Sequence, residues 1–292
     1  MSRKVSSFFA LSLALFWITF CLGVSAETPG VARCRMAFPA EVRNPSSSGG
    51  WFFENILGEG TLCLYGSLEG IDERNLENSL SGVEVDLLVV RSTGGPVSIW
   101  LSVGEFLSTQ IETLQVDEAC FSSCAIYAVP LARKVVVPKG SLVIWHGGPT
   151  VGLQGLRFSP SSLTEARDLY DLATRTEDFL KRLGIDPALL LDSALPPQQG
   201  KVDLVTTVSP GTKDISGYAF SPERLENCYG FLSVREMWHP GSDIDVLMLA
   251  KSKASTLAAL EFPTDAGPCD RWEMRLFYWV RSRLHNLKLW SY

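Results

Sequence analysis

The sequence predicts an α/β protein built around a mostly parallel sheet. The strongest observation is the run 83–90 (VEVDLLVV), which is β-branched and almost wholly apolar, as expected of a strand buried on both faces. Predicted strands and helices alternate after residue 61, and such alternation is typical of βαβ units. Ser162 and Glu165 form a capping box that begins a long amphipathic helix, which ends before Gly184.

In the first part of this region, each predicted strand is followed by a helix. A short apolar strand at 61–66 precedes a helix at 71–80. The strand 83–90 ends in a glycine turn, and the helix 96–107 that follows begins with a proline, which suits the first helical turn. These four segments predict the first two strand-helix units of the sheet.

The second part repeats the pattern with shorter elements. The next strand, 113–119, leads into a helix of small residues, and two more strands are predicted at 134–138 and 141–145. After the long helix 162–183, a short helix is predicted at 187–195. The last predicted strand is the apolar run 244–250.

Composition excludes several classes of protein. The chain has 292 residues, of which 46% are hydrophobic and 20% charged, so it is neither disordered nor a polytopic membrane protein. Its net charge of −6 has the wrong sign for a protein that binds phosphate backbones. Nucleic acid is therefore not an expected partner.

The N-terminus has the pattern of an export signal. Arg3 and Lys4 precede a nearly uncharged run that finishes at the small residues Ser25 and Ala26. We expect residues 1–26 to be a cleaved signal peptide and the protein to be periplasmic or secreted. The alternative is an uncleaved membrane anchor, because a run of about 20 apolar residues can span a bilayer.

The segments on either side of the main region are harder to interpret. Residues 27–60 are rich in proline, serine and glycine and are expected to be a loosely structured lead-in. Residues 231–292 form a C-terminal extension whose tail from Asp270 has the spacing of an amphipathic helix. We expect this helix to pack on the domain or at a subunit interface. Basic residues around it leave a peripheral contact with an anionic membrane as the alternative.

Cysteine usage agrees with export. Removal of the signal peptide also removes Cys21 and leaves an even number of cysteines, which favours disulfides in an oxidising compartment. Cys120 and Cys124 are one helical turn apart, which puts their Cα atoms about 6 Å from each other, within the disulfide range. A zinc site made by these two cysteines and His146 would be one ligand short of a closed structural site. We expect no metal and no cofactor.

The residues that can carry chemistry follow predicted strands. Ser122 lies where a strand gives way to a helix, and His146 lies at the end of the strand 141–145. A serine nucleophile needs a base within hydrogen-bond reach, and that base can be remote in sequence if both residues lie at one edge of a sheet. The alternative is that Ser122 caps a helix and that His146 is structural.

A glycine pair follows the most apolar strand. Backbone N–H groups at Gly94 and Gly95 could approach a ligand closely and form an oxyanion hole, or the pair could form a tight turn or a weak anion nest. The GxGxxG, GxxxxGK[ST] and GxSxG fingerprints are absent from the sequence.

The order of the motifs resembles that of a known family. The motifs, in chain order, are LYGSLEG at 64–70, STGG at 92–95, CFSSCA at 120–125, VP at 137–138 and VIWH at 143–146. Together they resemble the Clp protease proteolytic subunit superfamily. More narrowly, they are similar to the exported ClpP-like proteins of bacteria that carry a C-x-S-x-C motif. The resemblance covers residues 61–230 and defines these as the ClpP-like domain.

The resemblance implies a ClpP/crotonase fold of stacked ββα units and a serine peptidase that acts on peptides or unfolded proteins. It also implies a homo-oligomer assembled through the long helix after the histidine. Ser122 would be the nucleophile and His146 the general base. Backbone N–H groups of Gly94 or Gly95 and of Ser123 would form the oxyanion hole.

The third catalytic residue departs from the family's pattern. The family places an acidic residue after the long helix, and Asp192 is the nearest match, a few residues early; Asp186 and Asp203 are the other options. A Ser-Lys dyad would need Lys134 or Lys139, and neither occupies a matching position. The competing interpretations are an inactive ClpP-fold binding or scaffold protein and a crotonase, for which nothing marks a thioester pocket.

Overall fold

A computed structural model describes residues 28–108, 111–149, 163–193, 217–232, 234, 236–253, 259–261 and 269. Four sequence predictions lie outside these residues: the signal peptide at 1–26, the N-terminal cap at Ser162, the alternative carboxylate Asp203 and the helix from Asp270. The alternative contact between this last helix and a membrane lies outside them as well.

The described residues form both strands and helices. The strands are β1 (Gly50–Ile56), β2 (Glu59–Tyr65), β3 (Val85–Ser92), β4 (Ile111–Phe121), β5 (Ala132–Val137), β6 (Leu142–Ile144), β7 (Gly217–Ala219), β8 (Glu236–Met237) and β9 (Ala259–Glu261). The helices are α1 (Pro29–Ala37), α2 (Pro39–Arg43), α3 (Glu73–Leu80), α4 (Val97–Leu107), α5 (Ser123–Tyr127), α6 (Leu163–Arg182), α7 (Ala188–Asp192), α8 (Pro222–Tyr229) and α9 (Asp243–Lys253).

The main sheet is mixed, with parallel pairs in the majority. Its order is β1-β2-β3-β4-β5-β8, in which β1 pairs antiparallel with β2 and the other neighbours are parallel. The long strand β4 pairs with β5 along its first half and with β6 at its carboxyl end. Strands β7 and β9 form a separate parallel pair. The α/β class predicted from the sequence is confirmed.

Both faces of the sheet centre are buried, which is why the segments 62–65 of β2 and 87–90 of β3 are continuous apolar runs. Side chains alternate along a strand, so Leu62 and Leu64 enter the main core on one face while Cys63 and Tyr65 pack under α1 on the other. The main core is filled from helices α4 and α6, for example by Trp100.

Helix boundaries follow from local side chains and backbone. Asp72 accepts a hydrogen bond from the N–H of Asn75 at 3.1 Å and caps α3. Ser221 caps α8 in the same way, through the N–H of Arg224. Gly184 follows α6 with a φ of +77°, a left-handed conformation that glycine adopts without steric cost.

The expectation that residues 27–60 are loosely structured is wrong. Residues 28–60 form α1, α2, the edge strand β1 and the start of β2. A disulfide between Cys34 and Cys63 attaches α1 to β2, and the Arg91 guanidinium donates to the carbonyl of Val42. Proline lies in the first turn of both helices, where it is well tolerated. Contacts with the sheet, rather than local composition, order this segment.

The prediction of a strand at 244–250 is also wrong, because this run belongs to the helix α9. A short apolar run fits a buried strand or a buried helix equally well. Acidic residues in the first turn of α9 and lysines in its last turn complement the helix dipole. The helix buries Val246, Leu247 and Ala250.

All the cysteines after Cys21 are paired. The disulfides are Cys34–Cys63, Cys120–Cys124 and Cys228–Cys269. This pairing is compatible with a protein of the periplasm or the extracellular space. Among the described residues, no helix combines the length and apolar character that crossing a bilayer requires.

Candidate active site

Ser122 occupies a strained turn between β4 and α5. Its backbone has a φ of 59° and a ψ of −124°, and its N–H donates to the carbonyl of Ile144 at 2.8 Å. A residue other than glycine in such a region costs about 1–3 kcal/mol, so surrounding contacts must maintain it. Sharp strand-to-helix turns of this kind raise a serine hydroxyl above the edge of the sheet in serine hydrolases. The partly exposed side chain of Ser122 fits that description.

A disulfide spans this turn. Cys120 lies in the last part of β4 and Cys124 in the first turn of α5, their Cα atoms are 5.2 Å apart, and both side chains are fully buried. The disulfide predicted from the spacing is therefore present. Its formation consumes both thiolates that the alternative zinc site would have needed.

The glycine turn lies directly against the serine. Gly94 has a φ of +98°, and a Cβ atom placed on it would be 2.6 Å from Ser122 Cβ. Only a residue without a side chain allows the two turns to approach this closely. The hydroxyl of Ser123 donates to the carbonyl of Gly95 at 2.9 Å and joins the turns from the other side.

The predicted oxyanion donors are not equivalent. The N–H of Gly94 donates to Ser92 Oγ at 2.9 Å and is already engaged. For the N–H groups of Gly95 and Ser123, the described residues supply no acceptor. Gly94 and Gly95 were the alternative oxyanion donors predicted from the sequence. Gly95 is therefore the better candidate, together with Ser123.

His146 reaches the same edge of the sheet as Ser122. Phe121 and Ile144 are register partners in the parallel pair β4 and β6, so Ser122 emerges beside Trp145 and His146 follows one residue later. Paired backbone hydrogen bonds between Trp145 and Tyr218, at 3.0 and 2.8 Å, fix the chain immediately before the histidine. The side chain of His146 is half-buried.

Asp192 lies at the end of α7, beside the loop that follows His146. Ser193 Oγ accepts a hydrogen bond from the N–H of Gly147 at 2.7 Å, which holds these two segments together. The side chain of Asp192 is only 4% exposed. Of the other acidic residues considered, Asp186 accepts a hydrogen bond from the N–H of Ala188, the first residue of α7. The structure thus brings Ser122, His146 and the Asp192 segment to one region of the fold.

The two lysines considered for a Ser-Lys dyad lie elsewhere. Lys134 is on β5 and forms an ion pair with Glu236 at 2.9 Å. Lys139 is exposed in the turn between β5 and β6.

Tyr229 is a site residue that the sequence did not reveal. Its hydroxyl donates to Asp192 Oδ2, and its ring packs edge-on against Phe220. Burial, and then the neighbouring Asp192, raise the pKa of Tyr229 far above its usual value, so the hydroxyl stays a donor. The only sequence signal was its place before Gly230, which ends α8.

A partly buried ionic cluster supports β4 a few residues before the serine. The register between β3 and β4 shifts at this point, and Glu118 has a φ of 70°. Its carboxylate pairs with Arg91 and with Lys253 of α9, each at 2.9 Å. Burial raises the pKa of Glu118, but the hydrogen bonds from Arg91 and Lys253 outweigh it and lower the pKa to about 2.

Asp117, the neighbour of Glu118 and also part of this cluster, has different partners. It accepts hydrogen bonds from the Arg35 guanidinium of α1 and, at 2.7 Å, from the Tyr65 hydroxyl. The cluster therefore connects both ends of the described chain to the strand that carries the nucleophile candidate. No sequence motif marks this cluster, because most of its members are far apart in the sequence.

No family model, curated protein or solved structure matches this chain.

Proposed function

We propose that this protein is a serine hydrolase with Ser122 as its nucleophile. The observation that carries the proposal is the strained conformation of Ser122 at a strand-to-helix turn, in van der Waals contact distance of Gly94. Strained residues other than glycine cluster at functional sites. A serine that merely capped α5 would accept a hydrogen bond through its side chain, and no such bond is present at this helix.

The arrangement supports acyl transfer. Ser122 Oγ attacks the substrate carbonyl carbon, and its proton passes to His146. Negative charge on the carbonyl oxygen is stabilised by the N–H groups of Gly95 and Ser123. The protonated His146 then gives its proton to the leaving amine, and water hydrolyses the acyl-enzyme by the same route. Asp192 orients the imidazole and stabilises its charged form.

The peptide substrate and the finer fold belong to this proposal. They depend on the ClpP-like resemblance of residues 61–230, which implies a ClpP/crotonase fold, unfolded or peptide substrates and assembly of copies through α6. The parallel pairs β2-β3-β4 and the long helix α6 after the histidine are consistent with that fold. The three disulfides are consistent with a periplasmic location.

Labelling with a fluorophosphonate tests the nucleophile. We expect one stable adduct on Ser122 by peptide mapping, and we expect it to be lost in Ser122→Ala. Ser98→Ala, an exposed serine on α4, is the matched control and should label like the wild type. An adduct that persists in Ser122→Ala would refute the assignment. A folded chain that is never labelled would favour the inactive binding or scaffold protein.

A second assay distinguishes peptidases from other hydrolases. The purified protein would be incubated with an unfolded protein substrate and, separately, with a simple activated ester. Cleavage of the polypeptide that depends on Ser122 and His146 is the expected result. Hydrolysis of the ester alone would support the serine site but contradict the peptide substrate.

A further inference from the structure

We infer that the Cys120–Cys124 disulfide holds Ser122 in its reactive conformation, so that the reactivity of Ser122 depends on the redox state of this pair. The inference rests on the proposed function of Ser122. It assigns Cys120 and Cys124 a positioning role, since neither would touch the substrate.

Position along the chain is the first argument. In the G-x-S-x-G turn of other serine hydrolases, glycines stand two residues before and two residues after the nucleophile. Cys120 and Cys124 stand at these two places, and they are bonded to each other. The bond joins the end of β4 to the first turn of α5 and therefore fixes the angle of the turn at whose apex Ser122 lies.

The size of the disulfide loop is the second argument. The bond closes a sequence separation of 4, whereas Cys34–Cys63 closes a separation of 29. A short loop restricts the unfolded chain least, so this disulfide contributes less to global stability by that route. Its main effect falls on the local geometry of the turn.

The other contacts of the turn are few. The N–H of Ser122 donates to the carbonyl of Ile144, and the carbonyl of Ser122 accepts from the N–H of Ile126. Ser123 Oγ donates to the carbonyl of Gly95. Helix α5 has only 5 residues, too few to be stable on its own. Without the disulfide, we expect Ser122 to relax toward a negative φ and to lose its alignment with His146 and with the oxyanion donors.

The redox step is a thiol–disulfide exchange. A small dithiol donates two electrons and two protons to the pair, which becomes two thiols, and the dithiol closes to a cyclic disulfide. Both cysteines are fully buried, so we expect this bond to be reduced more slowly than Cys228–Cys269, in which Cys269 is exposed.

The test compares rates of fluorophosphonate labelling in the oxidised full chain, in the wild type and in two variants that each lack one disulfide. We expect the labelling rate at Ser122 to fall about tenfold or more in Cys120→Ala/Cys124→Ala. This is the scale on which a strained conformation is disfavoured. The maximal rate of labelling should fall while the concentration for half-maximal rate stays the same. Cys34→Ala/Cys63→Ala is the matched control, because it removes a buried disulfide remote from Ser122, and its labelling rate should stay near that of the wild type.

Graded reduction of the wild type gives the same answer without a variant. After partial reduction with dithiothreitol and alkylation, loss of labelling should follow alkylation of Cys120 and Cys124, and reoxidation before alkylation should restore it. This measurement decides the matter if the double variant does not fold. Equal labelling of the reduced and oxidised pair would overturn the inference. Absence of labelling in the oxidised wild type would instead refute the proposed function itself.

Discussion

Gly94 and Ser122 are in such close contact that a single added carbon on the glycine would lie 2.6 Å from the serine Cβ. The two turns come from different strands, β3 and β4, and they meet at the carboxyl edge of the sheet, where ligands bind in open α/β folds. The close approach brings the glycine turn and the candidate nucleophile into one site.

Gly94→Ala should abolish the reactivity of Ser122. The new methyl group forces Ser122 aside, and displacement of a reacting group by about 1 Å can cost about 100-fold in rate. The measurement is the rate of fluorophosphonate labelling. Gly140→Ala is the matched control, because Gly140 also has a positive φ, of +88°, yet its Cβ would meet nothing within 4 Å. This control loses about 1–2 kcal/mol of stability and keeps the labelling rate. Equal labelling of both variants would contradict the proposed site.

Tyr229→Phe should slow labelling and destabilise the fold. It removes the hydrogen bond to the buried Asp192 but leaves the ring in contact with Phe220. A hydrogen bond to a charged group contributes about 2 kcal/mol, which chemical denaturation would measure. In an Asp192→Asn background the same change should have little further effect on the labelling rate.

Tyr127→Phe is the control for that variant. The Tyr127 hydroxyl bonds to the neutral Thr176 hydroxyl at 2.8 Å. Its loss should cost about 1 kcal/mol of stability and leave the labelling rate unchanged.

Additive effects of Tyr229→Phe and Asp192→Asn on the labelling rate would show that Tyr229 does not act through Asp192.

Acid should destabilise the fold through Glu118. Its pKa in the folded chain is lowered to about 2 from an ordinary value of 4.5, so the folded state binds this proton less readily than the unfolded state. The contribution to stability is therefore fully present above about pH 4.5 and is lost as the pH falls toward 2. Thermal unfolding across this range is the measurement.

Glu118→Gln should be less stable than the wild type at neutral pH, and the difference should shrink toward pH 2. Glu77→Gln, at an exposed position on α3, should keep the pH dependence of the wild type. A difference that stays constant with pH would mean that Glu118 does not stabilise the fold as a charged group.

Removal of the Cys34–Cys63 disulfide should lower stability more than removal of Cys120–Cys124. Chain-entropy estimates give about 3–4 kcal/mol for a loop of the first size and about 2 kcal/mol for one of the second. Unfolding in guanidinium chloride of the two double-alanine variants compares these losses. The opposite order would show that the short disulfide stabilises the folded chain by more than its effect on chain entropy.

The sequence alone predicted the elements whose signals are local. The strand β3 is recognisable because a strand buried on both faces is nearly continuously apolar, and the helix predicted at 71–80 matches α3, whose cap, Asp72, acts within one turn. The disulfide between Cys120 and Cys124 was also predicted from their spacing, although a strand-to-helix turn, not the helical turn assumed in the prediction, brings the two cysteines together.

Tertiary structure decided whatever depends on partners that are remote in the chain. Residues 28–60 are ordered by contacts with Cys63 and Arg91. The run at 244–250 is a helix packed on the sheet. Local composition predicted neither. Besides the local disulfide, the strained turn at Ser122 has contacts from remote segments, with Gly94 after β3 and with Ile144 on β6. The contact between Tyr229 and Asp192 joins two helices whose sequences share no pattern. Residue types and spacing therefore named the serine and the histidine, whereas packing between distant segments determined the conformation of the serine and the partner of the aspartate.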